Sequence, residues 1–262
     1  MDYQLKGKRA LITGSSKGIG KAAAQLLHRE GANVVLHGRS PESVQAAHQA
    51  IPGSEIVTGD LGTDDGMQSV MEQLHKVGEI DILINNAGIF EPKPFFEIPD
   101  EDWMKFFVVN VLSGVRISRA LMPGMLSRNW GRVIFISSES AINIPEEMIH
   151  YGMTKTAQLS VSRGLAELTK GTGVTVNAVL PGPTSSEGVI GFVDDFAASK
   201  GIDRKTFEEE VFFKEARPTS LLQRFAHPDE VAQLIVFVAS PLSSATNGAA
   251  LRVDGGVVKS IV

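Results

Sequence analysis

The sequence has no cysteine among its 262 residues, so it can form no disulfide. It also contains no uninterrupted run of about 18 apolar residues, which is the length that a membrane-spanning helix needs. A basic-then-apolar leader is missing from its N-terminus. We therefore expect a mature-length cytoplasmic protein that has no membrane among its partners.

An excess of positive charge is also absent, because the formal net charge is −5 at pH 7. A chain with this charge lacks the excess of Lys and Arg that binds nucleic acid, and we expect no nucleic-acid partner. The six histidines do not have the spacing of metal ligands, and no cysteine could join them. The sequence therefore predicts no metal site.

Short apolar runs alternate with helical patterns along most of the chain, which is typical of a parallel sheet with helices on both faces. Hydrophobic residues make up 43% of the sequence, enough for a full core. We predict a single Rossmann-like, doubly wound α/β domain over residues 1–262. Residues 185–225, between the sixth predicted strand and the next long helix, are too many for a plain connection. We predict an active-site lid there. The alternative is a solvent-exposed segment that only covers the core.

A glycine-rich turn follows the first predicted strand, residues 9–13, and precedes an Ala/Leu-rich helix at residues 21–29. This arrangement places a pyrophosphate on a helix N-terminus, where unpaired N–H groups and the helix dipole favour anions. The spacing is Gly-x-x-x-Gly-x-Gly, which differs from the commonest dinucleotide fingerprint. The turn consists of Gly14, Ser15, Ser16, Lys17, Gly18, Ile19 and Gly20.

The second predicted strand, residues 33–37, ends in Gly38 and Arg39 and has no acid there. At this position of a dinucleotide fold, Asp or Glu binds the 2′-hydroxyl of NAD, whereas Arg accepts the 2′-phosphate of NADP. Together with Lys17, Arg39 favours NADP, while use of NAD stays open. The alternative is that both are solvated surface cations.

Tyr151 and Lys155 stand four residues apart at the start of a predicted helix, which places them on one face. An ammonium beside a phenol favours the phenolate and lowers its pKa from about 10. Tyr151 is therefore predicted to exchange a proton with a substrate oxygen. Ser138, at the end of the fifth predicted strand, is predicted to orient that oxygen. Taken alone, the Tyr-x-x-x-Lys spacing is more often an ordinary surface pairing.

Taken together, these motifs resemble the classical short-chain dehydrogenase/reductase family over about residues 5–257. No single motif is decisive, but all occur in order at the spacing of that family. The matching pieces are residues 13–20, Asp60 with Leu61, residues 85–88, Asn110, Ser138, residues 151–155 and residues 181–184.

The resemblance implies seven strands in the order 3-2-1-4-5-6-7 and a bound nicotinamide dinucleotide. It implies that Tyr151 is the general acid–base, that Lys155 holds the nicotinamide ribose and lowers the pKa of Tyr151, and that Ser138 orients the substrate. Asn110 would hold a water in the proton relay. The implied catalytic residues are Asn110, Ser138, Tyr151 and Lys155.

The resemblance also assigns the cofactor contacts. Ser16, Lys17 and Arg39 would meet the 2′-phosphate, Asp60 the adenine amino group, and Thr184 the nicotinamide amide. The full implied set is Gly14, Ser16, Lys17, Gly18, Ile19, Gly20, Arg39, Asp60, Leu61, Asn86, Ala87, Gly88, Tyr151, Lys155, Pro181, Gly182 and Thr184. A homodimer or homotetramer, built through the helices near 100–127 and 150–170 and through the last strand, is implied as well.

The substrate is left open by these motifs. Acids lie near Tyr151 and in the predicted lid, and they would repel anionic groups if they faced the mouth of the site. This favours a small neutral ketone, aldehyde or secondary alcohol. The alternatives are a 3-oxoacyl-(acyl-carrier-protein) reductase and a non-catalytic dinucleotide-binding sensor. The acids are Glu139, Glu146, Glu147, Asp194, Asp195 and residues 208–210.

Overall fold

The computed structural model describes residues 2–261, and within them the predicted alternation forms one parallel sheet. The strand order is β3-β2-β1-β4-β5-β6-β7, so the predicted fold class and strand order are confirmed. The inner strands are short, mostly buried runs, as expected for a sheet that helices cover on both faces, and the edge strands β3 and β7 are more exposed. The strands are β1 Arg9–Ile12, β2 Asn33–Gly38, β3 Glu55–Thr58, β4 Ile82–Asn85, β5 Gly131–Ile136, β6 Val174–Pro181 and β7 Ala250–Val253.

Two hydrophobic cores lie on opposite faces of the sheet, because successive strand residues point to opposite sides. In β1, Ala10 and Ile12 belong to one core with the first and last long helices, and Leu11 belongs to the other. The helices are α1 Gly18–Arg29, α2 Pro41–Ala50, α3 Asp64–Val77, α4 Asp100–Phe107, α5 Ser113–Ser127, α6 Ile149–Glu167, α7 Glu187–Ser199, α8 Arg204–Thr206 and α9 Pro228–Ala239.

The predicted long helix at residues 100–127 is present, but its winding changes midway. A π-helical turn, Val108–Leu112, separates α4 from α5 and carries Asn110. By length and composition alone this helix could cross a membrane, since its most apolar window has a mean hydropathy of 1.2. Core helices of soluble proteins pass the same test, and here Ile117 and Met125 are fully buried in one of the two cores.

The two ends of the segment 185–225 lie side by side just beyond β6. Ser185 N–H donates to Ala226 O at 2.9 Å, and Ala226 N–H donates to Pro183 O at 2.9 Å. Between these ends lie α7, α8 and a π-helical stretch, Phe207–Ala216. The segment has a small core of its own, formed by Val193, Ala197, Phe207, Phe213 and Phe225.

Candidate active site

The predicted site residues come together because they follow the carboxyl ends of adjacent parallel strands. The glycine-rich turn follows β1, residues 86–88 follow β4, Ser138 follows β5, and residues 182–184 follow β6. In open α/β sheets this edge forms the crevice that binds ligands. The local motifs of the sequence thus meet at one place.

The glycine-rich turn is clamped to the residues after β4. The Oγ1 atom of Thr13 accepts hydrogen bonds from the N–H groups of Asn86 and Ala87, both at 2.9 Å. In return, Asn86 Nδ2 donates to Thr13 O at 2.9 Å and to Gly14 O at 3.0 Å. The side chain of Asn86 thereby fixes the shape of the turn, and its predicted contact with the cofactor stays a prediction.

Two positions of the turn require glycine because the residues after β4 lie so close to them. Gly14 has a φ of +63°, and a Cβ there would lie 3.0 Å from the Cα of Ala87. A Cβ on Gly20 would lie 2.4 Å from Asn86 Nδ2. A side chain at either position would push the turn away from the β4 exit, so the spacing of the motif follows from this packing.

His37 supports the same turn and was not recognised from the sequence. Its Nδ1 accepts from Gly14 N–H at 3.1 Å, so its Nε2 carries the proton that is donated to Gly59 O, also at 3.1 Å. Burial lowers the pKa of His37 to about 4, which keeps the ring neutral at physiological pH. His37 therefore joins the glycine-rich turn to the exit of β3. The only signal in the sequence was a polar ring at the end of an apolar strand.

Lys17 and Arg39 flank the turn as exposed cations. Neither forms an ion pair with any residue between 2 and 261. Ser16 beside them is partly exposed, and Asp60 after β3 uses its Oδ1 to accept from Gly62 N–H at 2.8 Å. The predicted contacts with a 2′-phosphate and with adenine stay predictions, and the arrangement leaves both cations available.

A carboxylate from the segment 185–225 lies at the N-terminus of α1. Glu187, the first residue of α7, accepts a hydrogen bond from Gly18 N–H at 2.7 Å through its Oε2. An anion is favoured at this end of a helix. Glu187 therefore uses an N–H group that the sequence assigned to a pyrophosphate, a contact between residues too distant in sequence to predict.

The first two turns of α6 carry Tyr151 and Lys155. Lys155 is buried, and its Nζ donates to Ile136 O at 2.9 Å and to Gln158 Oε1 at 3.3 Å. Burial lowers the pKa of Lys155 to about 8. Its Nζ lies 5.5 Å from the centre of the Tyr151 ring. The structure thus brings the predicted pair together on one helix face.

The expected lowering of the Tyr151 pKa by Lys155 is not found among the protein's own groups. The pKa of Tyr151 is raised to about 12, because burial of the phenol and the charge of Glu139 outweigh a hydrogen bond with Ser138 and the charge of Arg217. The ammonium of Lys155 is directed to Ile136 O and Gln158 instead. The Tyr151 phenol therefore keeps its proton at physiological pH.

Asn110 has a fully bonded side chain. Its Nδ2 donates to Ile89 O and to Thr154 Oγ1, both at 3.0 Å, and its Oδ1 accepts from Ile89 N–H at 2.8 Å. Its backbone oxygen accepts from Gln158 Nε2 at 2.6 Å. Asn110 therefore ties the loop after β4 to α6. Its predicted water-holding role stays a prediction, and neither Thr154 nor Gln158 was singled out from the sequence.

Ser138 caps a single 3₁₀ turn, Glu139–Ala141, and is linked to buried charges. Its Oγ accepts from Ser140 N–H at 3.1 Å and donates to Glu139 Oε2 at 3.3 Å. Arg217 Nε lies 3.1 Å from Glu139 Oε1, and its Nη1 lies 3.2 Å from Glu147 Oε1. A cation from the segment 185–225 thus pairs with the acids beside Ser138.

This pairing weakens the argument that acids at the mouth repel anionic substrates. Glu139 and Glu147 are paired with Arg217, and Asp194 is held by Arg204 with both hydrogen bonds at 2.6 Å. Arg204 neutralises Asp194, whereas Glu139 and Glu147 share one guanidinium, so one negative charge remains at that pair of acids. The sequence showed the acids, but it did not show their partners.

Thr184 follows β6, and its hydroxyl forms a hydrogen bond within the same turn. Its Oγ1 donates to Gly182 O at 2.9 Å, and a Cβ on Gly182 would lie 2.4 Å from Asp254 O. Pro181 is the last residue of β6. These residues line the crevice beside Ser138, and their contact with a nicotinamide amide stays a prediction.

The residues present fit a dinucleotide. The N-terminus of α1 favours an anion, and the exposed cations Lys17 and Arg39 can bind phosphate. At the other end of the crevice, a Cβ on Gly88 would lie 3.3 Å from Asn110 Oδ1 and 3.6 Å from Lys155 Nζ. Gly88 therefore packs against Asn110 and Lys155, which brings the exit of β4 next to the ammonium that would hold a ribose.

Known proteins share this arrangement over their whole length. A family model described as enoyl-(acyl carrier protein) reductase matches residues 14–258. The uncharacterized oxidoreductase YvrD of Bacillus subtilis is 49% identical, with 100% of both chains covered. The 3-oxoacyl-(acyl-carrier-protein) reductase FabG of Aquifex aeolicus is 31% identical over 98% of this chain and 100% of its own. The structure of L-sorbose reductase from Gluconobacter frateurii, complexed with NADPH and L-sorbose, is 32% identical with a TM-score of 0.93 and covers 100% of both chains.

Proposed function

Because the chain belongs to the short-chain dehydrogenase/reductase family, we propose that it reduces a small neutral ketone or aldehyde to an alcohol with NADPH, and catalyses the reverse reaction. The protein is an oxidoreductase that acts on CH–OH and C=O groups, and it binds a nicotinamide dinucleotide. The observation that carries the proposal is the convergence of Asn110, Ser138, Tyr151 and Lys155 at one edge of the sheet.

The preference for NADPH rests on the unpaired cations and on a similar protein. Arg39 and Lys17 supply two charges where a 2′-phosphate would lie, and no acid stands there to favour a 2′-hydroxyl. The L-sorbose reductase that superposes on this chain was solved with NADPH. NADH can still serve as the weaker cofactor.

The chain's own residues would handle the proton and position the substrate, while the nicotinamide supplies the hydride. Tyr151 holds its proton at neutral pH and donates it to the carbonyl oxygen as the alcohol forms. The Ser138 proton is donated to Glu139, so the Ser138 oxygen would orient the substrate by accepting a hydrogen bond from the hydroxyl of the alcohol. Lys155, with a pKa of about 8, would hold the nicotinamide ribose and stabilise the tyrosinate left behind.

A ketose or related polyhydroxy ketone is the first substrate class to test. This follows from the L-sorbose reductase, whose whole length superposes on this chain. Reduction of a 3-oxoacyl thioester is the second candidate. The family description and the Aquifex relative favour it, and the pairing of Glu139, Glu147 and Asp194 removes part of the charge objection.

The experiment follows NADPH oxidation across ketoses, simple ketones, aldehydes and an acetoacetyl thioester, with the Tyr151→Phe variant as the blank. We expect the fastest turnover with a neutral ketone and none in the variant. Turnover of only the acyl thioester would support the second candidate. If NADPH binds but no carbonyl is reduced, the non-catalytic sensor becomes the better interpretation.

Association and location remain part of the proposal. We expect a cytoplasmic homodimer or homotetramer, supported by the exposed apolar side chains Met104 and Phe107 on α4 and Leu168 just after α6. Light scattering of the purified protein measures the mass directly. A monomer at micromolar concentration would contradict this expectation.

A further inference from the structure

The acid beside the catalytic serine is an unusual residue for its place. Glu139 is 3% exposed and Arg217 is 7% exposed, so two full charges have been removed from water. Apolar residues of similar size often stabilise a fold as well as a buried ion pair does. A buried pair in contact with a reacting group therefore suggests a use other than stability.

The hydrogen bonds show what Glu139 can control. Its Oε2 accepts from the hydroxyls of Ser138 and Ser140, and its Oε1 accepts from Arg217 Nε at 3.1 Å. Both carboxylate oxygens are thus used inside the protein, so Glu139 is not a substrate ligand. Since Ser138 donates its proton to Glu139, its oxygen lone pairs are turned in a fixed direction.

Arg217 brings the far end of the segment 185–225 to this place. It follows the π-helical stretch Phe207–Ala216, and its backbone N–H donates to Phe212 O at 2.8 Å. Its Nη1 also lies 3.2 Å from Glu147 Oε1, just before α6. One guanidinium therefore joins that segment to the 3₁₀ turn Glu139–Ala141 and to a second 3₁₀ turn, Glu146–Met148, just before α6.

We propose that Glu139 and Arg217 form a positioning pair for the reaction: Glu139 sets the direction of the Ser138 hydroxyl, and Arg217 makes that setting depend on docking of the segment 185–225. This rests on the proposed function, in which Ser138 and Tyr151 handle the substrate oxygen. Neither member of the pair touches the reacting atoms, and both act through Ser138 and through their charge on Tyr151.

The two charges act on Tyr151 in opposite directions, which makes the pair testable. Glu139 raises the pKa of Tyr151 and Arg217 lowers it, after the larger effect of burial. Two further charged groups lie nearby: Glu147, whose Oε1 is 3.2 Å from Arg217 Nη1, and Lys155 on α6, whose Nζ donates to Ile136 O. Removing one member should shift the Tyr151 pKa one way, and removing the other should shift it the opposite way.

The first measurement is the pH profile of kcat/KM, with the best carbonyl substrate, for Glu139→Gln, Arg217→Met and the double variant. We expect the apparent pKa to fall by about one unit in Glu139→Gln and to rise by about one unit in Arg217→Met. We expect kcat to fall about 10-fold in each single variant, and the double variant to return towards the wild-type pKa. Asp194→Asn with Arg204→Gln, which removes an exposed pair in the same segment, is the matched control and should change neither quantity.

A second measurement needs neither substrate nor cofactor. The chain has two tyrosines, so Tyr3→Phe leaves Tyr151 as the only one, and tyrosinate absorbance then reports its ionisation directly. In that background, Glu139→Gln should ionise about one pH unit below the parent protein, and the added Arg217→Met should move ionisation back up. If the wild-type enzyme reduces no carbonyl, the proposed function fails, yet this titration still decides on the pair.

The outcomes separate positioning from simple support of the fold. Opposite shifts in the single variants, with recovery in the double variant, would support the proposal. Shifts of the same sign, or an unchanged pKa in variants that bind NADPH like wild type, would overturn it. If Glu139→Gln does not fold, Arg217→Met compared with the double variant, which leaves neither charge of the pair, still isolates the effect of Glu139.

Discussion

The two halves of the crevice are built by different interactions. On the β1–β2–β3 side, neutral groups hold the glycine-rich turn: Thr13, Asn86 and His37 bond to backbone atoms. On the β5–β6 side, a buried charge holds Ser138, because Glu139 accepts the Ser138 proton and pairs with Arg217. Apart from the bond between Gly18 and Glu187, the first half depends on contacts near the turn itself, whereas the second depends on Arg217 from the segment 185–225.

This difference has an energetic consequence. A neutral hydrogen bond contributes about 1 kcal/mol and depends little on pH or salt. A buried charge that loses its partner costs about 3–5 kcal/mol. We therefore expect changes in the segment 185–225 to reach the cofactor half only weakly, through Glu187, and to affect the half around Ser138 strongly, through Arg217.

The largest expected effect is that of Tyr151→Phe. Removal of the proton donor should lower kcat by about 10²- to 10⁴-fold. NADPH affinity should stay close to wild type, because the glycine-rich turn and the two cations are untouched. Stopped-flow turnover and fluorescence titration of NADPH measure the two quantities separately. Loss of NADPH binding would show that the two halves are not independent.

Arg39→Ala should act on the cofactor half alone. Loss of a charge-assisted contact with the 2′-phosphate, worth about 1.5–3 kcal/mol, should weaken NADPH binding by about 10- to 100-fold and leave NADH binding unchanged. Arg29→Ala, which removes an exposed charge at the other end of α1, is the control. Equal losses for NADPH and NADH would give Arg39 a structural role.

The smallest expected effect, and the one with the opposite sign, is that of Glu187→Gln. Its carboxylate bonds to Gly18 N–H at the N-terminus of α1, so it competes with a pyrophosphate for that position. Removing the charge should tighten NADPH binding about 2- to 5-fold, in line with about 0.3–1 kcal/mol for a charge at a helix end. Calorimetric titration of NADPH measures the change, and Asp195→Asn in the same helix is the control. Weaker binding in Glu187→Gln would mean that Glu187 helps to hold the cofactor.

The sequence alone determined the features that depend on neighbours along the chain. Alternating patterns predicted the parallel α/β sheet, and the spacing of Gly14, Gly18 and Gly20 predicted a turn at a helix start. Tyr151 and Lys155 share a helix face because a helix repeats every 3.6 residues. Such patterns act over a few residues, and they survive in any fold that keeps the strand or helix.

Tertiary structure alone decided the electrostatics of the site. Glu139 and Arg217 are 78 positions apart, and Gly18 and Glu187 are 169 positions apart, so no local pattern connects either pair. The pKa of Tyr151 lies above its ordinary value because burial and Glu139 outweigh Ser138 and Arg217. Burial and charge pairing depend on distances in three dimensions, which the order of residues does not specify.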